Sequence, residues 1–292
     1  MFLTKKNFAI NCIALATSSI LLFSCGSETP KEDEIVATTE DSSATIEVSE
    51  VSYSLPSPLQ IASIFKKSGL TYKSGITTNV KDPSKYTTNL SKSLNLGVYS
   101  ADLSYTVLNK QNQEAMNYMK ASRQLADNLG IGSIFKEGNL AERFEKNLTN
   151  EDSLAYIIAE LQMVTDMYLD ENDQQQITSI VFAGAWIESM YIGGKVYEKS
   201  KDKSLNSKIT EQLTILGSII NALKTYEAKE AAIVGLVADL SAVKAVYDEL
   251  PTIKANAGKE EEDSEVDVIL TDEELSTLSK KIEELRTKFI NG

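Results

Sequence analysis

The chain has 292 residues, a net charge of −13, no histidine and two cysteines, Cys12 and Cys25. The lack of histidine excludes Ser/His and Cys/His catalytic pairs, histidine metal ligands and histidine-ligated haem. Residues 51–250 carry only −3 of the charge. Such a nearly balanced body without a basic patch argues against nucleic-acid binding.

The first predicted element is a short apolar run that follows two lysines. Lys5 and Lys6 precede residues 9–23, which are too few, and too often interrupted by polar side chains, to cross about 30 Å of hydrocarbon. A basic start followed by such a run is typical of a cleaved export signal. We therefore expect residues 1–24 to be a signal peptide that is removed from the mature protein.

The end of this run, Leu22-Phe23-Ser24-Cys25, resembles the lipobox of bacterial lipoproteins. The resemblance implies that Cys25 becomes the first mature residue and carries a diacylglyceryl thioether, with a further acyl chain on its amine. Several acyl chains exceed the two-signal threshold for stable anchoring. Gly26 stands where many inner-membrane lipoproteins have aspartate, so the resemblance implies an outer-membrane lipoprotein. The alternative is an ordinary secretory signal that has Cys25 near its end by chance.

The next segment, residues 25–55, is predicted to be a disordered acidic tether. It is rich in Ser, Thr, Glu and Asp, and residues 25–50 carry a charge of −7. About 30 flexible residues give a root-mean-square reach of roughly 30 Å. Residues 31–34, Lys-Glu-Asp-Glu, resemble the signals that send Bacteroidota-type lipoproteins to the cell surface. The alternative is a plain solvated spacer.

Residues 56–250 predict an all-α domain, a single up-and-down helical bundle. No alternation of period two is clear outside 45–55 and 266–270. The helix from 177 to 197 is apolar on every side between Ile180 and Ile187, so neighbouring helices must cover it. From helix-start residues, apolar spacing and breakers, the predicted helices are 58–69, 82–108, 111–130, 150–169, 177–197, 204–224 and 226–249.

The last two elements are an acidic loop, 251–270, and a C-terminal amphipathic helix, 271–292. Thr271 and Glu274 have the spacing of a capping box. The apolar residues of the helix recur every three or four positions and must be buried somewhere. We expect the helix to dock on the bundle; the alternative is that it contacts another protein. These apolar residues are Leu275, Leu278, Ile282, Leu285 and Phe289.

Two predicted helices carry a candidate site of acidic and aromatic residues. Tyr99, Asp102 and Tyr105 follow one another at intervals of three positions, so each adjacent pair can share a helix face. If the two helices face each other, the resulting pocket suits a cationic or hydroxylated ligand. The alternative is that the tyrosines are core residues and the acids lie on the surface or pair with Arg143 or a lysine. The candidate ligand-binding residues are Tyr99, Asp102 and Tyr105 on one helix and Trp186, Glu188 and Tyr191 on the other.

Asp102 and Glu188 also suggest an alternative function, a carboxylate-dependent hydrolase acting on polysaccharide. Glycoside hydrolysis uses two carboxyl groups with unequal pKa values on either side of the scissile bond. The sequence gives no distance between them. Open, converging carboxylates would favour catalysis, whereas exposed or lysine-paired carboxylates would favour a binding protein.

Residues 95–105 and 185–188 look like segments of uncharacterised helical lipoproteins of Bacteroidota type, a likeness that covers roughly residues 80–200. It implies location and class only. Our leading hypothesis is a membrane-anchored, non-enzymatic envelope lipoprotein that serves as a binding or accessory protein. We expect no catalytic residue, no metal ligand and no cofactor. The expected partners are the membrane, through the lipid anchor, and an envelope protein or small ligand; a structural spacer is the remaining alternative.

Overall fold

Helices and short connections make up the residues that a computed structural model describes, 55–80, 82–257 and 267–292. No strand forms within these ranges, which confirms the all-α prediction. The expected signal, Cys25 and nearly all of the tether lie outside the described residues, as does 258–266 of the acidic loop. The helices are α1 Pro58–Lys67, α2 Asn89–Leu108, α3 Asn112–Asn128, α4 Leu140–Lys146, α5 Glu151–Glu171, α6 Gln175–Ser200, α7 Lys203–Thr214, α8 Leu216–Lys224, α9 Ala231–Asp248, α10 Pro251–Asn256 and α11 Asp272–Asn291, with 3₁₀ turns at Pro83–Lys85, Gly132–Phe135 and Glu137–Asn139.

Capping residues determine where several of these helices begin. The Thr271 side chain accepts a hydrogen bond from the backbone N–H of Glu274 at 3.2 Å, and the Glu274 carboxylate accepts one from the backbone N–H of Thr271 at 2.8 Å. This reciprocal arrangement confirms the predicted capping box of α11. Ser57 and Gln60 form the same arrangement at α1.

The predicted helix 82–108 is wrong at its start. Pro83 begins only a 3₁₀ turn, after which the backbone of Tyr86 is extended and its ring is buried. Thr88 then caps α2, because its hydroxyl accepts a hydrogen bond from the backbone N–H of Ser91 at 3.0 Å. The buried ring and this cap place the start of the helix further along the chain.

The predicted helix 204–224 is two helices in the structure. The backbone of Ile215, with φ −77° and ψ −9°, separates α7 from α8. The hydroxyl of Thr214 donates a hydrogen bond to the carbonyl oxygen of Glu211 at 2.7 Å. The apolar pattern alone does not indicate this break.

The predicted acidic loop 251–270 is also wrong in its first residues. α9 ends at Asp248, before Pro251, as the proline predicts. Pro251 does not begin a loop, however, because it is the first residue of α10, Pro251–Asn256. A proline at the first helical position costs no hydrogen bond, because the first N–H groups of a helix have no acceptor within the helix. The segment 267–270, where the sequence alternates, forms no strand.

The backbones of α2 and α6 touch, and this is the most extensive helix–helix contact among the described residues. Two glycines permit it. A Cβ atom on Gly97 would lie 1.9 Å from the carbonyl oxygen of Val181, and one on Gly184 would lie 2.1 Å from the carbonyl oxygen of Leu94. One cluster of buried apolar side chains lies on the side of α1, α7, α8, α9 and α11, and another on the side of α3, α4 and α5.

The last helix, α11, docks on α6, α9 and α2. All five residues of its predicted apolar stripe are buried. The final carbonyl groups of α11 have no hydrogen-bond donors within the helix, and side chains of neighbouring segments donate to them instead. Asn95 donates to the carbonyl oxygen of Phe289 at 2.8 Å, and Tyr86 donates to that of Ile290 at 3.2 Å.

Membrane insertion of the described part was examined by helix length and hydropathy. None of the helices in 55–80, 82–257 or 267–292 is both long and apolar enough to cross a bilayer.

The glycine contact predicts that Gly184→Ala destabilises the protein strongly. The added methyl group would overlap the backbone of α2, so the two central helices would have to separate. We expect a loss of about 3 kcal/mol or more in the free energy of unfolding, measured by urea denaturation followed by circular dichroism.

Gly235→Ala in α9 is the matched control. A Cβ atom there meets no heavy atom within 4 Å, and alanine favours a helix over glycine by up to about 1 kcal/mol. Its stability should be unchanged or slightly higher. Equal losses in the two variants would contradict the close α2–α6 packing.

Candidate functional site

The two candidate acids, Asp102 on α2 and Glu188 on α6, lie inside the bundle. Both residues are 0% exposed. Ionised carboxylates that lose contact with water need a cation or several hydrogen-bond donors nearby. The site is therefore defined by what surrounds these two side chains.

Arg286 on α11 supplies the cation. Its Nε atom lies 2.6 Å from Oε2 of Glu188, and its Nη2 atom lies 2.8 Å from Oε1 of the same carboxylate. This two-point geometry is the strongest arrangement of an arginine and a carboxylate. The side chains are 8% and 0% exposed, so the ion pair is shielded from solvent and salt.

The segment between α1 and α2 passes through the same cluster at Thr78. The backbone N–H of Thr78 donates to Oδ2 of Asp102 at 3.0 Å, and its side-chain oxygen accepts from Nη2 of Arg286 at 2.8 Å. Tyr118 of α3 donates to the carbonyl oxygen of Thr78 at 2.7 Å. Arg286 also donates to the carbonyl oxygen of Ile76 at 3.3 Å. Four chain segments thus meet around the two acids.

The aromatic residues of the candidate site do not form one pocket. Tyr191 is nearest to the predicted arrangement, because the guanidinium of Arg286 lies 4.0 Å from the centre of its ring. That contact is a cation–π interaction. The ligand position that the sequence suggested between the two helices is therefore taken by a side chain of the protein itself.

The other three aromatic residues point to different neighbours. The ring centre of Tyr99 lies 6.4 Å from that of Tyr86 and 6.2 Å from that of Tyr118. The ring of Tyr105 stacks on that of Tyr72 at 5.8 Å, and its hydroxyl accepts from the backbone N–H of Lys73 at 2.6 Å. Trp186 donates through Nε1 to the carbonyl oxygen of Gln212 at 3.2 Å, on the side of α7.

Arg143, the arginine that the sequence suggested as a partner for these acids, lies elsewhere. Its Nη2 atom is 2.8 Å from Oε2 of Glu160 on α5. That pairing prediction is wrong, because Arg143 on α4 faces α5 and not the central helices.

Charges in the cluster favour a protonated Asp102. Burial raises the pKa of Asp102 well above its usual range, and the neighbouring Glu188 raises it further, against the Thr78 N–H and the charge of Arg286. Burial alone would lower the pKa of Arg286, but the Glu188 charge and hydrogen bonds raise it above its usual value. Oδ1 of Asp102 has no hydrogen-bond partner as an acceptor. A proton on Asp102 allows its side-chain hydrogen bond with Glu188 and leaves the cluster electrically neutral.

A second set of polar contacts fixes the start of α11. The Asn206 side chain on α7 donates to the carbonyl oxygen of Leu270 at 2.9 Å and accepts from its N–H at 3.0 Å. Glu274 accepts from the backbone N–H and the hydroxyl of Thr252, both at 2.7 Å. Burial disfavours the ionised form of Glu274, but the hydrogen bonds from Thr252 and Thr271 outweigh this effect and lower the pKa of Glu274 to about 2.

The chemistry open to this arrangement is limited by access. A glycosidase needs a sugar between its two carboxyl groups, and one of the groups must be free to exchange a proton. Here Arg286 donates to both oxygens of Glu188, the Thr78 hydroxyl lies 3.5 Å from Oε1 of Glu188, and no surface of either acid reaches solvent. The arrangement holds segments together and gives no support to hydrolysis. Within the described ranges, no three Asp, Glu, Cys or His side chains converge as a metal site would require.

Arg286 is the residue that the sequence reasoning missed. It lies four positions after Ile282 and three before Phe289, at the edge of the apolar stripe of α11, where a long charged side chain can equally reach solvent. One signal was present. The other cations of this helix are lysines, and arginine is the residue type preferred for buried two-point pairs with carboxylates.

Compared with known proteins, the chain matches no family model, no curated protein and no solved structure. Its function must therefore be argued from its own residues.

The raised pKa of Asp102 predicts a pH-dependent effect of Asp102→Asn. In the unfolded chain aspartate ionises near pH 4. Above that pH the folded chain still holds a proton that the unfolded chain has released, so the free energy of unfolding falls as pH rises towards the folded pKa. Asparagine keeps an acceptor for Thr78 and a donor for Glu188 but does not titrate. The variant should gain stability relative to the parent chain above pH 4, by up to about 1.4 kcal/mol per pH unit.

Urea unfolding of both chains between pH 4 and pH 8 measures this difference. Asp152→Asn, which removes an exposed carboxyl on α5, controls for the loss of one negative charge. A constant difference between Asp102→Asn and the parent chain at all pH values would contradict a protonated Asp102.

Proposed function

We propose that the chain is a lipid-anchored lipoprotein of the bacterial envelope whose helical body acts as a non-enzymatic binding or accessory protein. The observation that carries the proposal is the order of residues at the N-terminus, two lysines and a short apolar run ending in Leu22-Phe23-Ser24-Cys25. Acyl chains on Cys25 would hold it at the bilayer, with about 0.8 kcal/mol for each buried methylene. Gly26 favours the outer membrane.

The acidic tether supports a role in contacts made away from the bilayer. Residues 25–50 carry a charge of −7, and anionic lipid surfaces repel such a segment. A reach of roughly 30 Å would hold the helical body clear of the lipid headgroups. The body would then be free to meet a partner in the envelope.

The central cluster supports binding over catalysis. The acids that could have served as general acid and base are used to attach α11 and the 70–80 segment to the central helices. Burial of this kind stabilises one arrangement of the bundle. Recognition would then take place on the outer surface of the helices.

Cys25→Ala tests the anchor. The variant should no longer incorporate labelled palmitate in a bacterial host with lipoprotein processing, and it should move from the membrane fraction to the soluble fraction. Only a thiol at this position can form the lipid thioether. Cys12→Ala, which removes the other cysteine of the chain, is the matched control and should keep both the label and the membrane location.

Mass spectrometry of the mature N-terminus gives the second readout. The parent chain should begin at a lipid-modified Cys25. An unmodified thiol, cleavage at another position or unchanged labelling of Cys25→Ala would overturn the anchor.

A further inference from the structure

Helix α5 exposes large apolar side chains to solvent. Tyr156 is 66% exposed, and Met163 and Met167 are each 55% exposed. The opposite side of the helix is buried through Leu154, Ile157, Ile158 and Leu169, so the helix is firmly attached to the bundle while this side is left uncovered by the described residues.

The three exposed residues lie on one side of α5, which we call the α5 face, with Glu160 and its partner Arg143 between Tyr156 and Met163. Successive residues of an α-helix turn by 100° and rise by 1.5 Å. Met163 and Met167 therefore lie within about 20° of Tyr156 around the helix axis, and the three span about 16 Å along it. This length corresponds to about three helical turns, which is enough for a partner helix to pack against.

The α5 face is bordered by acidic residues. Between 151 and 173 the chain has seven Asp and Glu residues and no Lys or Arg. Lys110 pairs with Glu151 and Arg143 pairs with Glu160. The remaining acids form no ion pair within the described ranges; they are Asp152, Asp166, Asp170, Glu171 and Asp173.

The negative charge of this border indicates which kind of molecule could bind the α5 face. A second copy docked through its own α5 face would bring the same acids into contact, the segment 25–50 carries −7, and an anionic bilayer is negative as well. Each would be repelled. A segment with Lys or Arg beside its apolar side chains would instead be attracted and would gain the burial of the aromatic ring and the two thioethers.

We propose that the α5 face is a docking surface for a basic amphipathic helix of a protein partner. Methionine side chains are flexible and polarizable, so they adapt to partner helices of different shape. The inference rests on the proposed binding function of the helical body and does not depend on the lipid anchor. Affinity comes from apolar contact with Tyr156, Met163 and Met167, and the acidic border sets the sign of the partner's charge.

The probe for this site is a labelled synthetic helix of about 18 residues, with leucine on one face and lysine on the other. The full chain, as the expressing cell processes it, is kept in a neutral detergent that dissolves it with or without the lipid anchor, and binding is measured by fluorescence anisotropy. Met163→Ser combined with Met167→Ser should weaken binding at least tenfold, which corresponds to about 1.4 kcal/mol. Because both side chains are more than half exposed, the melting temperature should stay the same.

Val234→Ser is the matched control. Val234 is 52% exposed on α9, so the variant removes an apolar side chain of similar exposure from another helix, and it should bind the probe as the parent chain does. A leucine–glutamate helix of equal length should not bind. Binding of the leucine–lysine helix should weaken as salt is raised, because salt screens the acidic border.

Three results would overturn the proposal: no binding by the parent chain, equal binding by the double methionine variant, or a dimer in sedimentation velocity that the same double variant dissociates. The last would identify a second copy as the occupant. Peptide binding and palmitate labelling are separate readouts. Loss of the label in the parent chain with intact peptide binding would remove only the anchor, whereas intact labelling without peptide binding would remove only the docking surface.

Discussion

The buried pair of Arg286 and Glu188 is the interaction on which the rest of the structure depends. Removing two charges from water is costly, and their attraction compensates only when the geometry is good and the remaining donors and acceptors are used. The geometry is good here, with a two-point pair, a bond to Thr78 and a contact with the ring of Tyr191. Glu188 and Arg286 are 98 positions apart, so the cation that balances the buried carboxylate of α6 comes from a distant helix, α11.

That pairing connects the two ends of the described chain. The last helix contributes a buried apolar face, a cation for the central cluster and carbonyl groups for Asn95 and Tyr86. The segment that contains Thr78 is held from two sides, by Asp102 and by Arg286. With the central acids used for assembly, the proposed recognition would take place on the surface, which on α5 combines exposed apolar side chains with acids that form no ion pair among the described residues. The proposed role as a tethered binding protein follows from this division.

Local sequence signals predicted much of the fold. The all-α class, the capping box of Thr271 and Glu274 and the burial of the central helix follow from spacing and residue type, which act over a few positions. Tertiary contacts decided the rest. The buried ring of Tyr86 delays the start of α2. The spacing of α11 places Arg286 at the edge of the apolar stripe but does not show that its side chain turns inward. The candidate acids were found because they interrupt apolar segments, but their facing partner depends on the docking of a distant helix.

A double-mutant cycle on Glu188 and Arg286, measured by urea unfolding at pH 7, tests the central claim most directly. Arg286→Met leaves a buried carboxylate without its cation, and Glu188→Gln leaves a buried guanidinium without its anion. Each should lower the free energy of unfolding by about 3 to 5 kcal/mol. The double variant, which leaves neither charge alone, should lose clearly less than the sum of the two. Losses below about 1 kcal/mol that simply add would contradict the account.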